Sequence, residues 1–69
     1  MIRTPVSSSV IRSIGYSDSG MLLEVEFTSG SISVYFHVPR TVYTGLMSAD
    51  SHGEYLNANI KGRYPFEQS

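Results

Sequence analysis

"MLLEVEFTSGSISVYFH", residues 21–37, decides the fold. Its first limb sets Leu23, Val25 and Phe27 against Glu24 and Glu26. That period of two marks a strand over 21–27 with one buried face. The second limb, 31–37, sets Ile32, Val34 and Phe36 against Ser33, Tyr35 and His37. Ser29-Gly30 between them reads as a two-residue hairpin turn. With that turn Thr28 lies opposite Ser31, Phe27 opposite Ile32, Val25 opposite Val34 and Leu23 opposite Phe36. These six apolar residues then share one side, and a slip of one residue would scatter them. On this register Phe36 points inward. Tyr35 and His37 point to the other face, with Glu24 opposite Tyr35 and Glu26 opposite Ser33.

Towards the N-terminus, the β-branched and aromatic residues of 10–16 suggest a strand, closed by the turn signal Ser17-Asp18-Ser19-Gly20. Residues 1–9, with Pro5 and Ser7-Ser8-Ser9, read as an arm. Towards the C-terminus, Pro39 ends the second limb and suits the first turn of a helix. Over 40–49, Val42, Leu46 and Ala49 share a helical face, with Tyr43 and Met47 beside them. Ser51-His52-Gly53-Glu54 is a capping box that starts a second helix over about 52–60, burying Leu56 and Ile60 with Tyr55 alongside. Lys61 falls in its last turn and Gly62 stops it. Residues 63–69 form an extended tail in which Tyr64 and Phe66 are available to pack. The fold class expected is α+β, one domain over 1–69. A three-stranded antiparallel meander is followed by two short helices on one face (β-β-β-α-α). The outer strands of such a sheet expose unpaired backbone unless the arm or the tail covers them.

At 69 residues the chain holds one small domain. A domain of this size buries about 60% of its unfolded surface, which leaves little room for a deep active site. Five Lys+Arg against six Asp+Glu give a net charge of −1, without the basic excess typical of a duplex binder. The absence of cysteine excludes disulfides, thiolate-ligated zinc and thiol chemistry. The N-terminal residues lack the apolar core of a signal peptide, and no apolar run approaches the ~20 residues of a membrane span. These features imply a soluble, cytoplasmic protein with no membrane association.

His37 and His52 are the only histidines and lie on different elements, without metal-ligand spacing. Asp50-Ser51-His52 contains triad residue types, but a triad draws its members from separate elements, and Ser51 is accounted for as a cap. No phosphate-binding glycine loop is present. We therefore expect no catalytic residues, no metal and no cofactor. The stretch richest in binding chemistry is "NIKGRYPF", residues 59–66. Asn57, Asn59, Lys61, Arg63 and Tyr64 place amides, cations and an aromatic close together, able to meet a phosphate backbone or an acidic protein surface. Tyr35 and Arg40 complete the candidate binding residues.

Taken in order, "SSSVIRSIGY", "LEVEFTSG", "YFHVPRTVYTGL" and "SHGEYLNANIKGRYPF" resemble the KTSC domain, over about residues 6–66. The matching blocks include Ile14-Gly15-Tyr16, Val38-Pro39, Val42-Tyr43, Gly53 with Tyr55 and Asn57, and Ile60. The family takes its name from the C-terminus of some lysyl-tRNA synthetases and also occurs as short stand-alone bacterial and phage proteins. The resemblance implies a small binding module, with RNA binding suggested by the synthetase association. Aligned on Phe36-His37-Val38-Pro39, this chain has Ser33 at the first position of the family's central Tyr-x-Tyr motif and Tyr35 at the second. The missing tyrosine and the net acidity rank a protein partner first, with the chain acting as an adaptor or regulator. RNA or tRNA, held by the Arg40, Lys61 and Arg63 region, is the alternative. A homodimer through a sheet edge is a further expectation.

Overall fold

The computed structural model describes residues 2–69. Its elements are β1 (Arg3–Pro5), β2 (Ile11–Ser17), β3 (Leu22–Phe27), β4 (Ile32–Tyr35), α1 (Arg40–Ser48), α2 (His52–Asn59) and β5 (Phe66–Gln68). The five strands form one antiparallel sheet in the order β1-β2-β3-β4-β5. The α+β class and the two helices hold. The sheet has five strands rather than three, because the N-terminal arm supplies β1 and the tail supplies β5. Each added strand is only three residues long, too short to show a period.

The β3–β4 register differs from expectation. Leu23 pairs with Tyr35, Val25 with Ser33 and Glu26 with Ile32, one residue away from the expected alignment. The cause is the loop. Gly30 N–H donates to Phe27 O at 3.0 Å and Phe27 N–H to Ser31 O at 2.9 Å, which leaves Thr28, Ser29 and Gly30 between the paired residues. Gly30 has φ of 101°, so the loop is a turn closed by a left-handed glycine rather than a two-residue hairpin turn. The extra residue turns β4 over. Ser33 and Tyr35 face the helices, 3% and 1% exposed, while Ile32 and Val34 are only half-buried. The expectation that Tyr35 lies outside and Phe36 inside is thereby corrected. β4 ends at Tyr35 because His37, with φ of 61°, turns the chain towards α1.

A bulge in β2 completes the inner face. Ile11 pairs with Phe27 and Ser13 with Glu26, so Arg12 is the additional residue. Ile11 and Ile14, three positions apart, therefore both reach the core and are fully buried. Leu23 and Val25 from β3 join them, covered by Val38, Leu46, Leu56 and Ile60. Tyr16 also lies on this face; its ring stacks on Tyr43 at 4.9 Å and its hydroxyl donates to Val38 O at 2.6 Å. Gly45 lets the helices approach, since a Cβ there would lie 2.2 Å from the Tyr55 hydroxyl. Ser51 caps α2 as its sequence indicates, accepting from Glu54 N–H at 3.3 Å.

Candidate binding site beside β5

The candidate residues named from sequence do not form one patch. Arg40 pairs with Asp18, in the turn before β3. Lys61 lies with its ammonium 5.7 Å from the centroid of the Phe27 ring, at the other end of β3. A six-residue strand separates these ends by about 17 Å, so Arg40 and Lys61 do not share a small anion site. Arg63 Nε donates to Ala58 O at 3.3 Å and Asn59 Nδ2 to Tyr55 O at 3.3 Å, interactions that close the end of α2. Asn57 is exposed on α2, and Tyr64 packs half-buried against the core.

What the fold does assemble lies at the β5 side of the sheet. Two adjoining hollows of about 250 and 270 Å³ open on the helical face and share Phe27, Lys61 and Gln68. The larger is completed by Ser33, Tyr35 and Phe66. Its walls are aromatic: Tyr35 and Phe66, cross-strand partners, have ring centroids 5.3 Å apart. Its lining residues with polar side-chain groups are Ser33, Tyr35, Gln68 and Lys61. Burial raises the pKa of the Tyr35 phenol, and the hydrogen-bonding Ser33 hydroxyl beside it pulls the other way. Of the residues lining the two hollows, Lys61 alone is charged.

The opposite face of the sheet carries the carboxylates. Arg3 bridges Glu24 at 2.9 Å and Glu26 at 3.4 Å, and the Ser13 hydroxyl donates to Glu26 at 2.9 Å. Glu67 lies on the same face, paired with Val34. The outer edges of the sheet also differ. Ile32 and Ser69 exchange both backbone hydrogen bonds, at 3.1 and 2.9 Å, and Phe36 N–H donates to Pro65 O at 2.8 Å. Antiparallel alternation then turns the N–H and C=O of Phe66 and Gln68 away from β4, to the outer edge. On β1, Val6 N–H donates to Arg12 O, so Pro5 falls at an outward position with no N–H to offer. All three residues of β5 are exposed.

A family model for the KTSC domain matches residues 7–64. The chain belongs to the KTSC domain family. The crystal structure of a KTSC domain protein from Yersinia pestis matches it with a TM-score of 0.95 at 37% identity, covering 99% of this chain and 96% of that one. A protein of Stutzerimonas stutzeri is 41% identical over 64 residues, 93% of this chain and 90% of that protein. A lysine–tRNA ligase of Nostoc punctiforme is 43% identical over 60 residues, 87% of this KTSC chain but 11% of the ligase. The chain thus resembles one small segment of that enzyme and nearly the whole of the small proteins. Among its described residues, no helix is long and apolar enough to cross a membrane.

Phe27, Ser33, Phe66 and Gln68 are site residues that sequence reasoning misses. The alternation of β3 accounts for Phe27 as core alone, and the slipped register sends Ser33 to the outer face. The signal for β5 is slight: Pro65 followed by a single alternation, Phe66, Glu67, Gln68.

Proposed function

We propose that this KTSC domain is a protein-interaction module that accepts an extended peptide along the outer edge of β5. The observation that carries the reading is the exposed β5 edge, where Phe66 and Gln68 turn their backbone donors and acceptors outward beside the cleft. A short open edge of this kind takes an added strand through main-chain hydrogen bonds, and adjoining pockets supply specificity. The other edge is less suited, because Pro5 removes a donor. The test uses random heptapeptides selected by display on the immobilised domain. Selected peptides are expected to bind the native domain and to lose affinity for Gln68→Pro, which deletes an outward N–H while sparing the β4–β5 bonds. Unchanged binding to Gln68→Pro contradicts the reading.

A second reading is RNA binding, supported by the similarity to a lysine–tRNA ligase segment. It requires the exposed cations Lys61 and Arg63 to carry affinity. Bulk tRNA is expected to bind at low salt. The salt slope should fall by roughly one unit for each phosphate that Lys61→Gln/Arg63→Gln leaves unneutralised. No binding at low salt, where screening is weakest, ends this reading.

A further inference from the structure

The geometry points to a specific partner chemistry: the cleft beside β5 is a carboxylate pocket that reads an acidic side chain of the bound strand. The inference rests on the edge reading above and adds to it the identity of the side chain selected. Phe66 and Gln68 present their side chains on the cleft side of the sheet. A strand added to β5 alternates in the same way, so its residues facing that side stand next to the cleft. There they meet Lys61, held over the Phe27 ring. Beneath lie two hydroxyls on side chains that are almost wholly buried, Ser33 at 3% and Tyr35 at 1% exposed. The Gln68 amide and the one O–H left free by the Ser33–Tyr35 hydroxyl pair can donate to a carboxylate whose charge the ammonium meets. The aromatic rings would take the aliphatic stem.

The opposite face imposes the complementary demand. Glu67 lies there on β5 itself, beside the added strand, whereas Glu24 and Glu26 lie two strands further in on β3 and share Arg3. Residues of the bound strand that flank the acidic one point to this face, where a basic side chain is favoured. The partner segment is therefore extended and carries a basic–acidic–basic alternation. A second copy of this chain is a poor occupant. Antiparallel self-pairing with Phe66 opposite Gln68 sets Glu67 directly opposite Glu67, a like-charge pair.

The test uses the end-blocked pentapeptide Thr-Lys-Glu-Lys-Thr and its Thr-Lys-Gln-Lys-Thr analogue, compared by fluorescence anisotropy and by amide chemical shifts. The glutamate peptide is expected to bind the native domain about threefold to tenfold more tightly than the glutamine peptide. In Lys61→Gln, an exposed substitution that leaves the core intact, that preference should disappear. Ser33→Phe should abolish it as well by filling the cleft. Equal binding of both peptides to the native domain, with Phe66 and Gln68 amides shifting, overturns the carboxylate pocket and leaves the edge reading standing. Shifts of neither amide with either peptide overturn the edge reading too. Sedimentation at a dimer mass that breaks up in Gln68→Pro would give the edge to a second copy and overturn both.

Discussion

At the scale of single residues, Tyr35 and Gly45 carry the most consequence. Tyr35 is the largest fully buried side chain, and its phenol keeps its proton more tightly than an unfolded tyrosine because of burial. The folded form thus binds more protons than the unfolded one near the ordinary tyrosine pKa of 10.0. The corresponding stability is fully present below about pH 10 and is lost as pH rises through the folded value. Tyr16, raised by burial and then by Asp18, acts in the same direction. The denaturation midpoint should fall above about pH 10, and the fall should be smaller in Tyr35→Phe. A pH-independent midpoint there contradicts the placement of these rings. Gly45→Ala should destabilise by about 1–3 kcal/mol, because the new Cβ meets the Tyr55 ring end. In a Tyr55→Ala background the same change should become neutral or stabilising, since only the better helix propensity of alanine remains. Gly45 carries no sequence signal of this role, because the contact joins two helices and depends on tertiary packing.

At the scale of elements, local chemistry is legible wherever it is strong. The alternation of 21–27 and the Ser51 cap mark real boundaries, and Val25 is inward as its pattern requires. The α2 helix instead ends at Asn59 with Ile60 as its C-cap, so Lys61 lies beyond its last turn and Gly62, at φ of 78°, turns the chain two residues past the cap. Ser51→Ala should cost about 1 kcal/mol in chemical denaturation, and no loss would place the start of α2 elsewhere. What sequence does not resolve is the length of the β3–β4 loop. Thr28-Ser29-Gly30-Ser31 is compatible with a two-residue or a three-residue connection, and the difference of one residue decides which face Tyr35 occupies. Apolar alternation favours Ile32, Val34 and Phe36, but β4 is near-balanced: its other face offers Tyr35, a larger apolar body, and pairing with β5 covers Ile32 and Val34 in part. Gly30→Ala tests the loop. Space is open around Gly30, so its cost of about 1 kcal/mol would come from the left-handed backbone alone. A neutral substitution would argue for a different turn.

At the scale of the whole molecule, the sheet divides the charges. Glu24, Glu26 and Glu67 share one face with Arg3, whereas Lys61 stands alone over the cleft on the other. Net charge conceals this division, because a count of five cations against six acids says nothing about sidedness. The site escapes sequence reading for the same reason. It forms where the tail returns to β4, thirty or more residues along the chain from its partners. The central claim is that β5 accepts one more antiparallel strand. It is tested most directly by intermolecular nuclear Overhauser effects between isotope-labelled domain and unlabelled Thr-Lys-Glu-Lys-Thr peptide. If Phe66 and Gln68 bond outward, Glu67 sits in the close, non-hydrogen-bonded pairing with the added strand, where Cα atoms approach to about 4.5 Å. A cross-peak between the Glu67 Hα and a peptide Hα is the result expected. Saturating peptide that gives cross-peaks only to the helices or to β1, and none to Glu67, would contradict the account.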